Sequence, residues 1–159
     1  MTRANYWLGR SNDPTGIGYF QGAISSMQIW SRALGADEVA ALYALDGVCL
    51  ATPTPAPTPR PTPAPTASAL ERALEHSLCF DQCDFADQVG SMDATAANGA
   101  ACARGVGVAL NGVDEYVTFD DGVLQCGVGC GVPDVTVALW FRANSSQSVA
   151  TYRLSLIHI

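Results

Sequence analysis

The sequence predicts a mainly β protein, an antiparallel two-sheet sandwich with one short helix, on three observations. Short apolar stretches alternate with period two, turn residues separate them, and helical periodicity is sustained only once. A parallel α/β sheet needs a crossover helix after most strands, so the missing alternation of strand and helix argues against it.

Tyr6, Trp7 and Leu8 form a short apolar run ahead of a turn-rich loop holding Asn12, Asp13 and Pro14. A strand follows over residues 23–30. Met27 and Ile29 share one face, whereas Ile24 falls out of phase with them, which predicts a bulge or a twist near Ser25 and Ser26. Residues 36–45 read as a helix: Val39, Leu42 and Tyr43 keep helical spacing, and Asp37 and Glu38 put carboxylates in the first turn. Gly35 is the expected N-cap. Having no side-chain oxygen, it supplies only half of a capping box with Glu38.

Residues 51–66, ATPTPAPTPRPTPAPT, hold seven of the nine prolines. Alternating proline removes amide donors and fixes φ, so neither helix nor sheet propagates there. In polyproline II form such a segment is a semi-rigid spacer of roughly 45–50 Å.

Beyond it, Ser68 and Glu71 make a capping-box pattern that predicts a helical turn or two through Glu75, before Leu78 and Phe80 alternate on a short strand. Val106, Val108 and Leu110 alternate, Asn111-Gly112 turns the chain, and Val117 and Phe119 alternate again, which is the grammar of a hairpin. The clearest strand covers residues 135–142. Val137, Leu139 and Phe141 point one way, and Thr136, Ala138 and Trp140 the other.

Fifteen acidic residues against eight basic ones, all arginine and scattered, leave no stripe to follow a phosphate backbone, so nucleic acid is not an expected partner. No apolar run reaches the roughly 20 residues that span a bilayer. The six cysteines, Cys49, Cys79, Cys83, Cys102, Cys126 and Cys130, are too many for a short cytosolic chain and point to disulfides in an oxidising compartment. Zinc is the competing reading. The two close pairs, Cys79 with Cys83 and Cys126 with Cys130, have three intervening residues where zinc knuckles usually have two. Sequence alone does not choose among the fifteen pairings that six cysteines allow. Asn144-Ser145-Ser146 has the pattern of a glycosylation acceptor, a triplet that also arises by chance. The opening residues lack a signal-peptide core, so extracellular or cell-surface localisation expects such a peptide upstream.

The run from Tyr19 to Tyr43, YFQGAISSMQIWSRALGADEVAALY, resembles the closing segment of laminin-G-like and pentraxin-like domains of the concanavalin-type jelly-roll superfamily. Trp30, Arg32, Leu34, Glu38 and Tyr43 fall where that pattern places them, Leu8-Gly9-Arg10 resembles the strand just upstream, and Gly35 departs from the usual serine. Residues 105–119, GVGVALNGVDEYVTF, with VTVALWF at 135–141, resemble the opening half of the same domain. The resemblance implies a partial jelly-roll with its helix after the closing strand. It divides the chain into the C-terminal part of one domain (1–47), a linker (48–67) and the N-terminal part of a second (68–153). Residues 154–159, LSLIHI, match the translation of CTG TCT CTT ATA CAC ATC, which resembles a transposase adapter used in sequencing libraries; a natural apolar strand is the competing reading, and the hexapeptide carries no weight in the fold prediction. In sandwiches of this kind the closing strand lies near opening strands. Two outcomes follow: the halves dock, which sets Met27 and Ile29 against Val137 and Leu139, or they stay apart as two incomplete remnants.

The resemblance also implies binding of a glycan or extracellular protein ligand, often with calcium. Asp114, Glu115, Asp120 and Asp121 are the candidate calcium ligands, since calcium takes about 6–8 hard oxygens; paired acids at turns equally serve as turn residues. Asp81, Asp84 and Asp87 recur every third residue in a polar stretch and read as a solvated loop, and His76 as an exposed residue near a helix end. No nucleophile elbow, P-loop, dinucleotide fingerprint or zinc-protease pattern is present, so no enzyme is expected. The competing function is a structural spacer appended to an enzyme or receptor.

Overall fold

The structure, a computed structural model, describes residues 7–10, 18–45, 70–119, 134–144 and the backbone of 153–158. Cys49, Ser68, Asp120, Asp121, Cys126, Cys130 and the Pro/Thr segment lie outside them. The strands are β1 (Trp7–Leu8), β2 (Gln21–Trp30), β3 (Leu74–Leu78), β4 (Ala94–Ala97), β5 (Ala101–Ala103), β6 (Gly107–Asn111), β7 (Tyr116–Phe119), β8 (Thr136–Ala143) and β9 (Arg153–His158). One helix, α1 (Ala36–Ala44), follows β2. The expected mainly β class holds: two antiparallel sheets, one ordered β1-β7-β4 and the other β5-β6-β2-β8-β9 with β3 also beside β2.

The long strand β2 organises the larger sheet. Its first half pairs with β6 and its second half with β3, while β8 runs along the other edge from Ala143 to Thr136. Segments on the two sides of the Pro/Thr stretch therefore share one sheet. Met27 lies opposite Leu139 and Ile29 opposite Val137, so the residues that docking sets face to face are cross-strand neighbours. The predicted bulge is present: pairing steps from Ile24↔Phe141 to Ser26↔Trp140, and the extra residue, Ser25, donates its hydroxyl to the Trp140 carbonyl at 3.4 Å. That extra residue restores phase. Ile24, Met27 and Ile29 all enter the inter-sheet core with Val108, Leu110 and Val117.

On the opposite, outer face of the larger sheet a second cluster forms from Trp30, Leu34, Leu42, Leu70 and Ala138. Helix α1 covers this end. Gly35 caps it as expected, and the surviving half of the capping box is made: the Gly35 N–H donates to Glu38 Oε2 at 2.9 Å. Arg32 donates to both Glu38 oxygens, at 2.7 and 2.5 Å, which holds the Glu38 carboxyl down at about 2. Thr136 on β8 accepts the Leu34 N–H and donates to the Arg32 carbonyl, tying the β2–α1 connection to the sheet. Trp140 faces this outer layer, 3 % exposed, with the Tyr43 ring stacked on it at 5.9 Å.

Three expectations need correction. The helix after Ser68 is only a 3-10 turn, Glu71–Ala73, and the chain is already extended at Leu74, because Leu74–Leu78 is taken up as a strand along β2. Phe80 is not on that strand; it opens a second 3-10 turn, Phe80–Gln82, with its ring fully buried. β6 and β7 are not a hairpin either. The turn between them carries the chain from one sheet to the other, β6 pairing with β2 and β5, and β7 with β1 and β4. Residues 153–158, which take in most of the adapter-like stretch, form β9, antiparallel to β8.

Cys83 and Cys102 form a disulfide with Cα atoms 5.5 Å apart, joining the Phe80–Gln82 turn to edge strand β5. Cys79 is disulfide-bonded as well. Across a separation of 19 residues, the loss of unfolded-chain entropy from the Cys83–Cys102 bond stabilises by about 3 kcal/mol. Replacing both cysteines by serine is expected to cost that much in urea unfolding. A midpoint that does not move would show that the bond constrains nothing.

Candidate functional site

Among the described residues, the outer face of the larger sheet is covered by α1 at one end and open at the other. Strand alternation sends every second side chain outward, so the register decides what lines the open end. Ala101, Ala109, Ala23 and Arg142 stand in one row across β5, β6, β2 and β8. The next row holds Asn111 opposite Gln21, with the Asn144 N–H donating to the Gln21 carbonyl at 3.0 Å. Of the three methyl groups in this row those of Ala101 and Ala109 are exposed and that of Ala23 is buried, which leaves a shallow floor. Longer polar side chains rise around it, and the resulting groove has a volume of about 570 Å3, with Glu115 also in its lining.

Two glycines permit the close strand approach behind this floor. Gly107 has φ +104°, and a Cβ there would lie 2.0 Å from the Ile24 carbonyl oxygen at the bulge. Gly22 has φ +154°, and its Cβ would lie 2.2 Å from the Arg142 carbonyl oxygen. Only glycine fits at either position without moving a strand.

The turn at the groove's edge is built by side chains. Asn111 Oδ1 accepts the N–H groups of Val113, Asp114 and Glu115 at 2.8, 3.1 and 3.3 Å, and Glu115 Oε2 accepts the Asn111 N–H at 2.8 Å. Asp114 Oδ1 accepts from Asn111 Nδ2 at 2.9 Å, and the Asp114 carbonyl accepts from Asn98. Of the calcium candidates, Asp114 and Glu115 are thus brought together as turn-forming groups, while Asp120 and Asp121 fall outside the described residues. Among the described residues no cluster of three or more His, Cys, Asp or Glu side chains is placed to hold a metal.

The acidic triplet divides. Asp81 and Asp84 line a second, polar hollow with Arg104 beside the Cys83–Cys102 bond. Asp87 does not belong to a solvated loop: its side chain is 0 % exposed. Its Oδ1 accepts the Ser77 and Val89 N–H groups at 2.9 and 3.1 Å, and its Oδ2 accepts the Met92 N–H at 3.0 Å and lies 2.5 Å from His76 Nδ1. Burial alone pushes the Asp87 carboxyl up. Hydrogen bonds from Ser77, His76, Val89 and Gly90 outweigh it and hold the group below the ordinary carboxylate range. His76, with its side chain 14 % exposed on β3, is likewise not a surface residue near a helix end.

Sequence reading also missed the Arg10 guanidinium, which stands 4.1, 5.0 and 5.8 Å from the ring centroids of Trp7, Tyr116 and Tyr19. Trp7, three residues before Arg10, was the available signal, but the other two rings arrive by pairing, Tyr19 through its bridge to Arg10 and Tyr116 on β7 beside β1.

These features define an antiparallel β-sandwich with an open, amide-rimmed groove on one outer face. No family model matches the chain, and neither curated proteins nor solved structures provide a match. Among the described residues no helix is long and apolar enough to cross a membrane.

Proposed function

We propose that the chain is an extracellular, non-catalytic binding or adhesion module, laminin-G-like or pentraxin-like in kind, that recognises a glycan or glycoprotein ligand through the outer-face groove. The observation that carries this reading is the alanine floor bordered by the exposed amides of Gln21 and Asn144, with the Asn111 turn closing its edge. A pyranose has one face of C–H groups and a periphery of hydroxyls. The C–H face matches a flat apolar floor, and side-chain amides, which both donate and accept, match hydroxyls. The Cys83–Cys102 bond supports an oxidising environment.

A glycan array probed with the whole chain, once with calcium and once with chelator, tests the reading. Binding is expected, and Ala109→Arg, which fills the exposed floor of β6, is expected to weaken it at least about tenfold, or roughly 1.4 kcal/mol. The chelator arm decides whether calcium takes part. Silence in both arms defeats the reading and favours the structural spacer, for which the Pro/Thr segment is the supporting feature.

A further inference from the structure

Asn144 combines two features that arise independently. It opens the acceptor triplet Asn144-Ser145-Ser146, and it sits on the rim of the groove. β8 ends at Ala143, the Asn144 side chain is exposed, and its backbone N–H is held by the Gln21 carbonyl at 3.0 Å. Continuing the alternation of β8 puts Asn144 on the same outer face as Arg142, about 7 Å further along the strand. The floor residue Ala109 lies two strands away, about 10 Å across the sheet. A disaccharide rooted at Asn144 spans that distance.

We infer that Asn144 is a site of N-linked glycosylation whose first sugars, once attached, lie along the alanine floor, so that the modification switches the groove from open to closed towards an external ligand. In the transfer, Asn144 Nδ2 attacks C1 of a lipid-pyrophosphate-linked oligosaccharide. The Nδ2–C1 bond forms, the C1–O bond to pyrophosphate breaks, the lipid pyrophosphate leaves, and Nδ2 gives up one proton. The attached sugar is held beside Gln21, whose amide faces its hydroxyl groups, while Asn111 borders it with a side chain already committed to its own turn. The attachment stands on the acceptor triplet and the exposure of Asn144. Closure of the groove deepens the binding reading above and rests on it for its consequence.

The test separates these parts. The full chain is secreted from a eukaryotic cell behind an added signal peptide, and the glycan is released by an amidase in heavy-oxygen water. Heavy-labelled aspartate at position 144 is expected; an unmodified Asn144 in the secreted chain overturns the proposal. The alanine-methyl NMR spectrum of the glycosylated chain is then compared with that of Asn144→Gln. Shifted Ala101 and Ala109 resonances are expected if the sugars reach the floor, and unmoved ones overturn the closure. Neither readout needs an external ligand, so both stand even where the array finds none. Where it does find one, Asn144→Gln is expected to bind at least about tenfold more tightly than the glycosylated chain, and equal binding overturns the shielding.

Discussion

Replacing Trp30 by alanine is expected to lower the unfolding free energy by about 4 kcal/mol. Trp30 closes β2, is 0 % exposed, and packs with Leu34, Leu42, Leu70 and Ala138. Its indole N–H donates to the Leu70 carbonyl at 2.9 Å, and the neighbouring Ser31 N–H donates to the Ala73 carbonyl at 3.0 Å. Trp30 therefore joins the segment before the Pro/Thr stretch to the segment after it. Truncation removes buried apolar area, leaves a cavity beneath α1 and strips the Leu70 carbonyl of its donor. Trp30→Phe separates these effects: it keeps most of the packing and loses the hydrogen bond, at an expected cost of about 1–2 kcal/mol. Urea unfolding followed by circular dichroism measures both. Hydrogen exchange supplies the structural control, because β8 pairs with β2 along its length and amides 136–143 should lose protection together with 21–30. A cost for Trp30→Ala under about 1 kcal/mol, or β8 amides that stay protected while β2 amides open, would break this account.

The elements legible in the sequence are those set by local rules. The bulge at Ser25 follows from the phase of Ile24 against Met27, and α1 from the spacing of Val39, Leu42 and Tyr43 behind a first turn of acids. The inward row of β8, Val137, Leu139 and Phe141, follows from simple alternation. The failures lie where one local pattern serves two structures. Alternating strands around Asn111-Gly112 look the same whether they pair or pass to opposite sheets, and only the partners of β6 and β7 decide. The groove is harder to read still. Its floor comes from Ala23, Ala101 and Ala109, each unremarkable alone, and a one-residue slip of any strand would send its alanine to the other face. Asp81, Asp84 and Asp87 share composition and spacing. What singles out Asp87 is that β3 brings the Ser77 N–H and His76 to it, a contact across ten residues that no periodicity marks.

Asp87→Ala is expected to cost about 4 kcal/mol near neutral pH, because it strands the Ser77, Val89 and Met92 N–H groups together with His76. Asp87→Asn should cost roughly half as much: one oxygen still accepts, but the new amide NH2 meets donors where Oδ2 stood. The effect depends on pH with a definite sign. The folded-state pKa of Asp87 is depressed, so the folded state holds the ionised form better than the unfolded chain does. Its contribution is complete above the unfolded carboxylate value of about 3.9 and is lost as pH falls through the lower folded value. The stability gap between the parent and Asp87→Asn should therefore be constant from pH 7 to about pH 5 and shrink below about pH 4. Urea titrations of both proteins at stepped pH measure that gap, and the His76 partner is controlled with His76→Gln in both backgrounds. A gap that stays level down to pH 2, or widens on acidification, would mean that Asp87 does not ionise as the hub of this turn.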